Sequence, residues 1–474
     1  MARVVIIGAG VVALGAAMLL AGDGHEVIVL ERDPAPPPDD PADAWEHWQR
    51  PGLNQFRLPH AFLGGFRAIM QAELPEVAKD LEAAGALRLN IIRDVLPPEL
   101  SGGWRDGDEA YEWLTGRRPF MEAVVATAAE AATGVEVRRG TAVTGLTSGP
   151  AALPGVPHVT GVQTRSGESI PADLVVDMSG RRSGLPDWLA AIGARRPTEE
   201  LEDTGMVYYG RHFRSADGST PPMMGPPQIP WGTVVSLTLP ADNGTWSVVL
   251  AASAKDKALQ PLRDPERWEA TARALPLVAH WLDGTPIDDG VHVLARLEDR
   301  YRGFVVDGTP VATGAVPVAD SWACTNPTHG RGTSIGMVHA VTLRDQLRAA
   351  GLDDPAGFAR EFHAATARDV EPWYRITNAE DRHQLGEIAA AIRGETYDPP
   401  DPEYELGRAL EAAGGQDPDC LRANLDIRLV LRLPGQALAD PDLRARALRL
   451  GSGWREQPAL GPDRAQLVAL AGVS

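Results

Sequence analysis

Lysine is nearly missing from this chain, occurring only as Lys79, Lys255 and Lys257. Lysine-based catalysis therefore has few candidates, and Lys79 sits in a helical, amphipathic context. The bias toward arginine, with abundant Ala, Gly and Pro, fits a GC-rich coding sequence and says little about mechanism. Cysteine is scarce as well. Cys324 and Cys420 form no metal-ligand spacing, so no metal site is expected, and two lone thiols suit a reducing compartment. Net positive charge is also lacking. With a formal charge of −19, nucleic acid and anionic membranes are not expected as partners, because a polyanion would be repelled. No apolar run reaches the roughly 18–20 residues of a membrane span. The nearest, Val11 to Leu20, is interrupted by glycine and preceded by a strand, unlike a secretory signal. The expectation is a soluble, cytoplasmic protein.

What is present is informative. The 474 residues suit two or three domains, and 40 Pro with 49 Gly imply many ordered turns. The chain opens Arg3-Val4-Val5-Ile6-Ile7-Gly8-Ala9-Gly10-Val11-Val12-Ala13 and reaches Glu31 at the end of Val27-Ile28-Val29-Leu30-Glu31. This is a G-x-G-x-x-G/A fingerprint in its full setting of strand, glycine turn, small-residue helix, second strand and acidic terminus. Gly8 permits the tight turn, and Gly10 keeps side chains away from a pyrophosphate. Ala13 lets the helix lie close on the strand, and the helix N-terminus supplies positive potential. Glu31 would accept from ribose hydroxyls and repel a 2′-phosphate. Dinucleotide binding is the expectation.

Beyond Glu31, the proline- and acid-rich stretch Pro34 to Pro51 reads as a surface excursion. Residues 61–85 have helical periodicity ending at Gly85, and a helix follows Arg118 to about Ala132. Strand signals occur at 135–138, 142–146 and 174–177. The middle of the chain changes character. Val234 to Leu239 and Thr245 to Ala251 are apolar strands joined by a turn whose Asn243-Gly244 favours φ > 0. A helix is expected around 266–282, strands near 291–297 and 310–314, and mainly helix from about residue 352. No internal repeat is visible.

A second glycine-rich loop spans Val318-Ala319-Asp320-Ser321 to Pro327-Thr328-His329-Gly330-Arg331-Gly332-Thr333. An Asp at a strand end, then Pro-x-x-Gly-x-Gly opening a helix, resembles the way flavoproteins hold the far end of FAD. In these two loops the chain resembles the FAD-dependent monooxygenases of the para-hydroxybenzoate hydroxylase-like fold. It is closest to a branch that includes bacterial flavin-dependent epoxidases, and more distantly halogenases and geranylgeranyl reductases. The resemblance covers residues 1 to about 345. The family's Gly-Asp-Ala motif stands here as Ala319-Asp320-Ser321, and its middle Asp-Gly motif, looser still, as Asp177 to Ser183.

The resemblance implies an α/β fold. A Rossmann-type FAD-binding domain (1–200 and 300–350) would carry an inserted, mostly antiparallel β-sheet substrate domain (201–299, joined by part of 86–116). A helical C-terminal region (351–474) would follow. It implies an FAD set of Gly8, Gly10, Ala13, Glu31 with adjoining Arg32, Arg50, Arg118, Val143, Asp320, Pro327, Gly330, Arg331, Gly332 and Thr333. Asp320 would accept a ribityl hydroxyl, or else cap a turn. Arg50 and Arg118 would contact FAD, or else lie over apolar neighbours. His329 is the catalytic candidate, as a donor to flavin or substrate, with a solvent-facing loop histidine as the alternative. His60 and Tyr208 either line the substrate pocket or serve packing. Alternation places Tyr208 and His212 on one face and Tyr209, Arg211 and Phe213 on the other. Cys324 reads as buried and inert, and Trp45 and Trp48 as packing.

The implied activity is insertion of one oxygen atom from O₂ into a hydrophobic small molecule, by epoxidation or hydroxylation, through a flavin C4a-hydroperoxide. Specialised metabolism is the implied setting. Electrons would come from NAD(P)H or from a separate flavin reductase. Only one complete fingerprint occurs, so nicotinamide would bind transiently near the flavin or reduced flavin would come from a separate reductase, and the loose Asp177–Ser183 motif leans toward the latter. The halogenases' Trp-x-Trp-x-Ile-Pro motif is absent. A flavin-dependent reductase of a carbon–carbon double bond and a non-catalytic flavin-binding protein are the alternatives.

Overall fold

Apolar β-branched runs without a polar face form strands only where both faces are covered. Two such runs make β1 (Arg3–Ile7) and β2 (Glu26–Glu31), joined by helix α1 (Val11–Gly22). Helix α2 (Arg118–Ala131) leads into β3 (Val135–Arg139), and β4 (Leu174–Asp177) follows. The chain then departs into β5 (Met206–Arg214), β6 (Val234–Ala241) and β7 (Thr245–Ser253). It returns through β8 (Glu298–Gly303) and β9 (Ala315–Pro317) to helix α3 (Gly332–Ala350), with α4 (Glu371–Arg393) beyond. The computed structural model describes residues 1–53, 55–456 and 460–472.

One parallel sheet runs in the order β9-β4-β1-β2-β3, with Ile6 opposite both Val176 and Val29. Its strands end on one edge, where the fold brings the two glycine-rich loops together. Helix α1 is apolar on all sides and accordingly buried, covered by α2 and α3. Glycines set the α1–α3 crossing. A Cβ on Gly15 would lie 2.9 Å from Met337 Sδ, and one on Gly336 3.0 Å from Val12.

The inserted sheet is antiparallel, with β7 between β6 and β5. Its β6–β7 turn carries positive φ at Asn243 and Gly244, as the Asn-Gly pair predicts. One face packs Tyr209, Phe213 and Trp246 around Trp268, and the other packs Tyr208, Val235, Val249 and Ala251 against Leu58, Leu294 and Ile388. The strand Trp113–Arg117 lies beside β6, tied by a buried Arg117–Asp242 ion pair at 2.6 Å. Among the described residues, four of the C-terminal helices start at Asp-Pro pairs. Asp354, Asp401, Asp417 and Asp440 each accept from a backbone N–H of the following turn, and the next residue is Pro. Among the described residues, no helix is long and apolar enough to cross a membrane.

Several local expectations shift. The stretch from Pro34 is no mere excursion, because Trp45 and Trp48 are buried and Trp48 Nε1 donates to Ala35 O at 3.1 Å. Residues 61–85 form a strand end and two helices, Gly64–Glu73 and Pro75–Ala84. Pro75 cannot continue a helix and pushes Leu74 to φ −134°. The helix expected at 266–282 divides into Pro265–Arg273 and a 3₁₀ turn at Ala279–Leu282, with Pro276 between. The strand expected at 310–314 forms at Ala315–Pro317 instead. Gly314, at φ +74°, turns the chain there, and Thr313 N–H is already donated to Pro157 O. Residues 457–459 and 473–474 of the expected helical region lie outside the described residues.

Candidate functional site

At the end of β1, Gly8 adopts φ +99°, and a Cβ there would lie 2.7 Å from Met178 O. Only glycine fits. Gly10 opens α1, and among the described residues a Cβ there would meet nothing within 4 Å beyond its chain neighbours. Helix α1 has no side-chain cap and no acid in its first turn, so its first N–H groups face open space. Ala13 is buried in the helix interface.

Glu31 is fixed at the end of β2. It accepts from Ala9 N–H at 3.0 Å and Asp33 N–H at 2.9 Å, and pairs with Arg50. Arg50 also donates to Ala9 O at 3.0 Å and Glu122 at 2.5 Å. Burial opposes its charge, but Glu122, Glu31 and Asp33 outweigh that and raise its pKa. Arg50 thus ties Glu31 to the glycine loop and is not left free toward the opening. Arg32 reaches outward to Gly52 O at 3.1 Å. Val143 begins the next strand just beyond Thr141, whose N–H donates to Glu31 O at 2.8 Å.

Asp177 is fully buried, accepting from Ser179 N–H at 3.1 Å, Ser179 Oγ at 2.6 Å and Ser183 Oγ. It shapes the middle loop, which Gly180 N–H ties to Ser321 Oγ at 3.0 Å. Ala319 has φ +56°, a left-handed conformation that glycine adopts without cost, and its N–H donates to His339 Nδ1. Asp320 is solvent-exposed, yet protein crowds it enough to raise its pKa, opposed by Arg181 and Arg118. A carboxylate both exposed and enclosed faces into a recess. Arg118 pairs with Glu122 at 2.9 Å and lies 2.6 Å from His60 Nε2. Burial, then Arg118, holds His60 well below its usual pKa. The network therefore assigns a neutral ring that accepts at Nε2 and donates from Nδ1 to Leu58 O at 3.2 Å. His60 positions Arg118.

In the second loop, Pro327–His329 make a 3₁₀ turn closed by Gly330 at φ +66°. Among the described residues, added Cβ atoms on Gly330 and Gly332 would meet nothing within 4 Å beyond their chain neighbours. Helix α3 then begins with no side-chain cap and no acid in its first turn. Thr333 Oγ1 is buried there without a partner among the described residues. The polar side chains of the loop turn away, toward α4. Arg331 pairs with Glu380 at 2.8 Å, and His329 lies 3.5 Å from Glu380 and 3.4 Å from Asp381. Asn326 Nδ2 donates to Asp381 at 3.0 Å, and Tyr208 OH bonds Asn326 and Thr328. Tyr208 thus braces the loop from the inserted sheet. Buried Cys324 has its thiol pushed up to about 12, chiefly by burial, as suits an inert residue.

Glu380, Asp381 and Asp299 were not singled out from sequence. They lie on elements far from the loop in the chain, and no local pattern marks them. Asp299 accepts from Asn326 N–H at 2.6 Å, and burial together with Asp381 raises its pKa to about 7. The folded state then keeps a proton that the unfolded chain, near 3.8, gives up. This group's contribution to stability therefore falls as pH rises from about 4 to about 7. Asp299→Asn should gain stability relative to the parent across that range. Paired thermal melts from pH 5 to 8 check this, and a gap independent of pH refutes it.

No known family profile matches the chain. Protein Rv3254 of Mycobacterium tuberculosis (strain ATCC 25618 / H37Rv) is 28% identical over 394 residues, covering 78% of this chain and 77% of that protein. Among solved structures, PqsL of Pseudomonas aeruginosa, described as a probable FAD-dependent monooxygenase, superposes with TM-score 0.54 at 15% identity. That match covers 82% of this chain and 98% of PqsL. The tetrameric form of 2-methyl-3-hydroxypyridine-5-carboxylic acid oxygenase gives 0.54 at 17% identity, covering 83% and 91%. This is the para-hydroxybenzoate hydroxylase-like fold. The Diels-Alderase PyrE3 of pyrroindomycin biosynthesis shares it too, with TM-score 0.54 at 18% identity, covering 82% and 76%. The fold alone therefore does not fix the reaction.

Proposed function

We propose that the protein is an FAD-dependent monooxygenase that transfers one oxygen atom from O₂ to a hydrophobic small molecule, by epoxidation or hydroxylation, in specialised metabolism. One observation carries this reading. The uncapped starts of α1 and α3 open from the same sheet edge, with Glu31 and Asp320 as the acids of the two loops. That arrangement suits an extended ligand with an anionic centre and hydroxyl-bearing arms. The open space at Gly10, Gly330 and Gly332 and the orphaned Thr333 Oγ1 fit FAD. When bound, FAD would supply the electrons that activate O₂.

The chain's own residues would do the rest. The first N–H groups of α1 would hold pyrophosphate and Asp320 a ribityl hydroxyl, and Glu31, whose carboxylate is already engaged by Ala9, Asp33 and Arg50, would take a ribose hydroxyl through a remaining lone pair. The backbone N–H groups from Gly330 to Thr333 would meet the pyrimidine edge, where the α3 N-terminus favours negative charge. In this reading residues 1–200 and 300–350 hold the cofactor, and 201–299 meets the substrate. The apolar cluster of Leu58, Tyr208, Val235, Val249 and Leu294 would exclude water and suits a hydrophobic substrate.

The test is isotopic. FAD-loaded, reduced protein is given hydrophobic alkenes and phenols under ¹⁸O₂, and product should carry one labelled oxygen, with added chloride or bromide making no difference. Label only from water overturns the reading. Product formed equally well without O₂ would move it to double-bond reduction, and bound FAD without turnover to a non-redox role.

The electron source is a separate proposal. Asp177 is spent on Ser179 and Ser183, so the middle loop offers no free carboxylate. This supports reduction by a partner flavin reductase. NADPH alone should bleach the bound flavin slowly under anaerobic conditions, with or without substrate. Rapid bleaching in a stopped-flow trace overturns that.

A further inference from the structure

We propose that Glu380 and Asp381 of α4 are positioning residues that hold the second glycine-rich loop, with Glu380 cancelling the charge of Arg331, leaving the cofactor edge to meet backbone N–H groups alone. This rests on the FAD reading above.

The loop is divided by direction. Gly330 and Gly332 open onto free space, whereas Asn326, His329 and Arg331 all turn to α4. Arg331 is 2% exposed, and a cation so enclosed needs a partner. Glu380 supplies it through two contacts, 2.8 Å to Nη1 and 3.3 Å to Nη2, while Thr377 Oγ1 lies 3.3 Å from Nη1. Asp381 takes the Asn326 amide and faces His329. Burial works against the charge on Glu380, yet Arg331 and His329 overcome it and bring its pKa to about 2. The carboxylate therefore stays ionised across the working pH range. Arg331, enclosed, and Glu380, part-exposed, act as a pair beside the loop that would carry the flavin.

The consequence is electrostatic. Reduced flavin can carry negative charge at its pyrimidine edge, and any unbalanced charge nearby changes how readily it accepts electrons. Glu380→Gln keeps the shape but leaves Arg331 uncompensated, so the flavin midpoint potential should rise. Arg331→Gln leaves Glu380 uncompensated, so the potential should fall. The double variant Arg331→Gln/Glu380→Gln restores neutrality and should return close to the parent value.

The experiment is spectroelectrochemical titration of the full-length, FAD-loaded proteins, with thermal melts to confirm folding. Opposite shifts in the single variants and recovery in the double variant support the proposal. Unchanged potentials in folded single variants overturn it. Shifts of the same sign also overturn it, since loop distortion alone would give that. Should Glu380→Gln fail to fold, Arg331→Gln and the charge-neutral double variant carry the same comparison. A parent protein that takes up no FAD refutes the cofactor reading itself, a different failure from FAD bound with insensitive potentials.

Discussion

A Gly10→Val protein is expected to fold normally and to lose FAD affinity by about 100-fold or more, equivalent to roughly 2.7 kcal/mol. The structure separates these two effects. Gly10 has φ −78° and ψ 168°, an extended backbone that valine adopts readily, and among the described residues no atom beyond its chain neighbours lies within 4 Å of the added Cβ. The side chain is therefore expected to obstruct what enters that space rather than its described neighbours. Gly8→Ala is the contrasting control. Its Cβ would press on Met178 O from a left-handed backbone, so the fold itself should suffer, by about 1–3 kcal/mol. Isothermal titration with FAD, alongside thermal melts, separates the two variants. Parent-like FAD affinity in folded Gly10→Val would remove the cofactor assignment.

Asp242→Ala should be the most damaging of the substitutions considered for stability, costing about 3–5 kcal/mol. Asp242 is fully buried and accepts from Arg117 N–H at 2.6 Å, from Nε at 3.1 Å and from Nη2 at 2.6 Å. Removing it strands a guanidinium that is itself 5% exposed. It also releases the strand Trp113–Arg117 from the β6–β7 turn, and with it the start of α2 that carries Arg118. Urea unfolding should show a lowered midpoint at a similar slope. A loss below 1 kcal/mol would mean that water reaches Arg117 and solvates it.

The parts of the site that were legible in the sequence are those written in short spacing. The β1–α1–β2 unit with Glu31, and the run from Asp320 to Gly332, each pack strand, turn and helix into a few consecutive residues. Their geometry follows from glycine, proline and one acid at fixed offsets. What was not legible depends on partners distant in the chain. Arg50 reads from the sequence as a contact to FAD or as a surface arginine lying over apolar neighbours. Only the folded molecule brings Glu31, Asp33 and Glu122 around it. His60 has no sequence feature that points to Arg118, and nothing local connects Asn326 to Asp299 or Asp381. Composition misled at Pro34 to Pro51. Its prolines and acids read as surface, but two tryptophans carry enough apolar area to pull the segment inward.

The bracing of the Pro327–Gly332 loop has a consequence for the order of assembly. Its supports come from Tyr208, from Asp299, and from Glu380 and Asp381, so its shape depends on segments made early and late in synthesis. On a ribosome the first glycine turn can form while the second still lacks α4. The nucleotide end of a cofactor could dock to the nascent chain, but its ring end would find no finished seat. Such long-range closure is slow in folding. Under the FAD reading, both ends of the cofactor would be seated only once residues 380 and 381 are in place, and a chain ending before residue 380 would hold a dinucleotide by one end only.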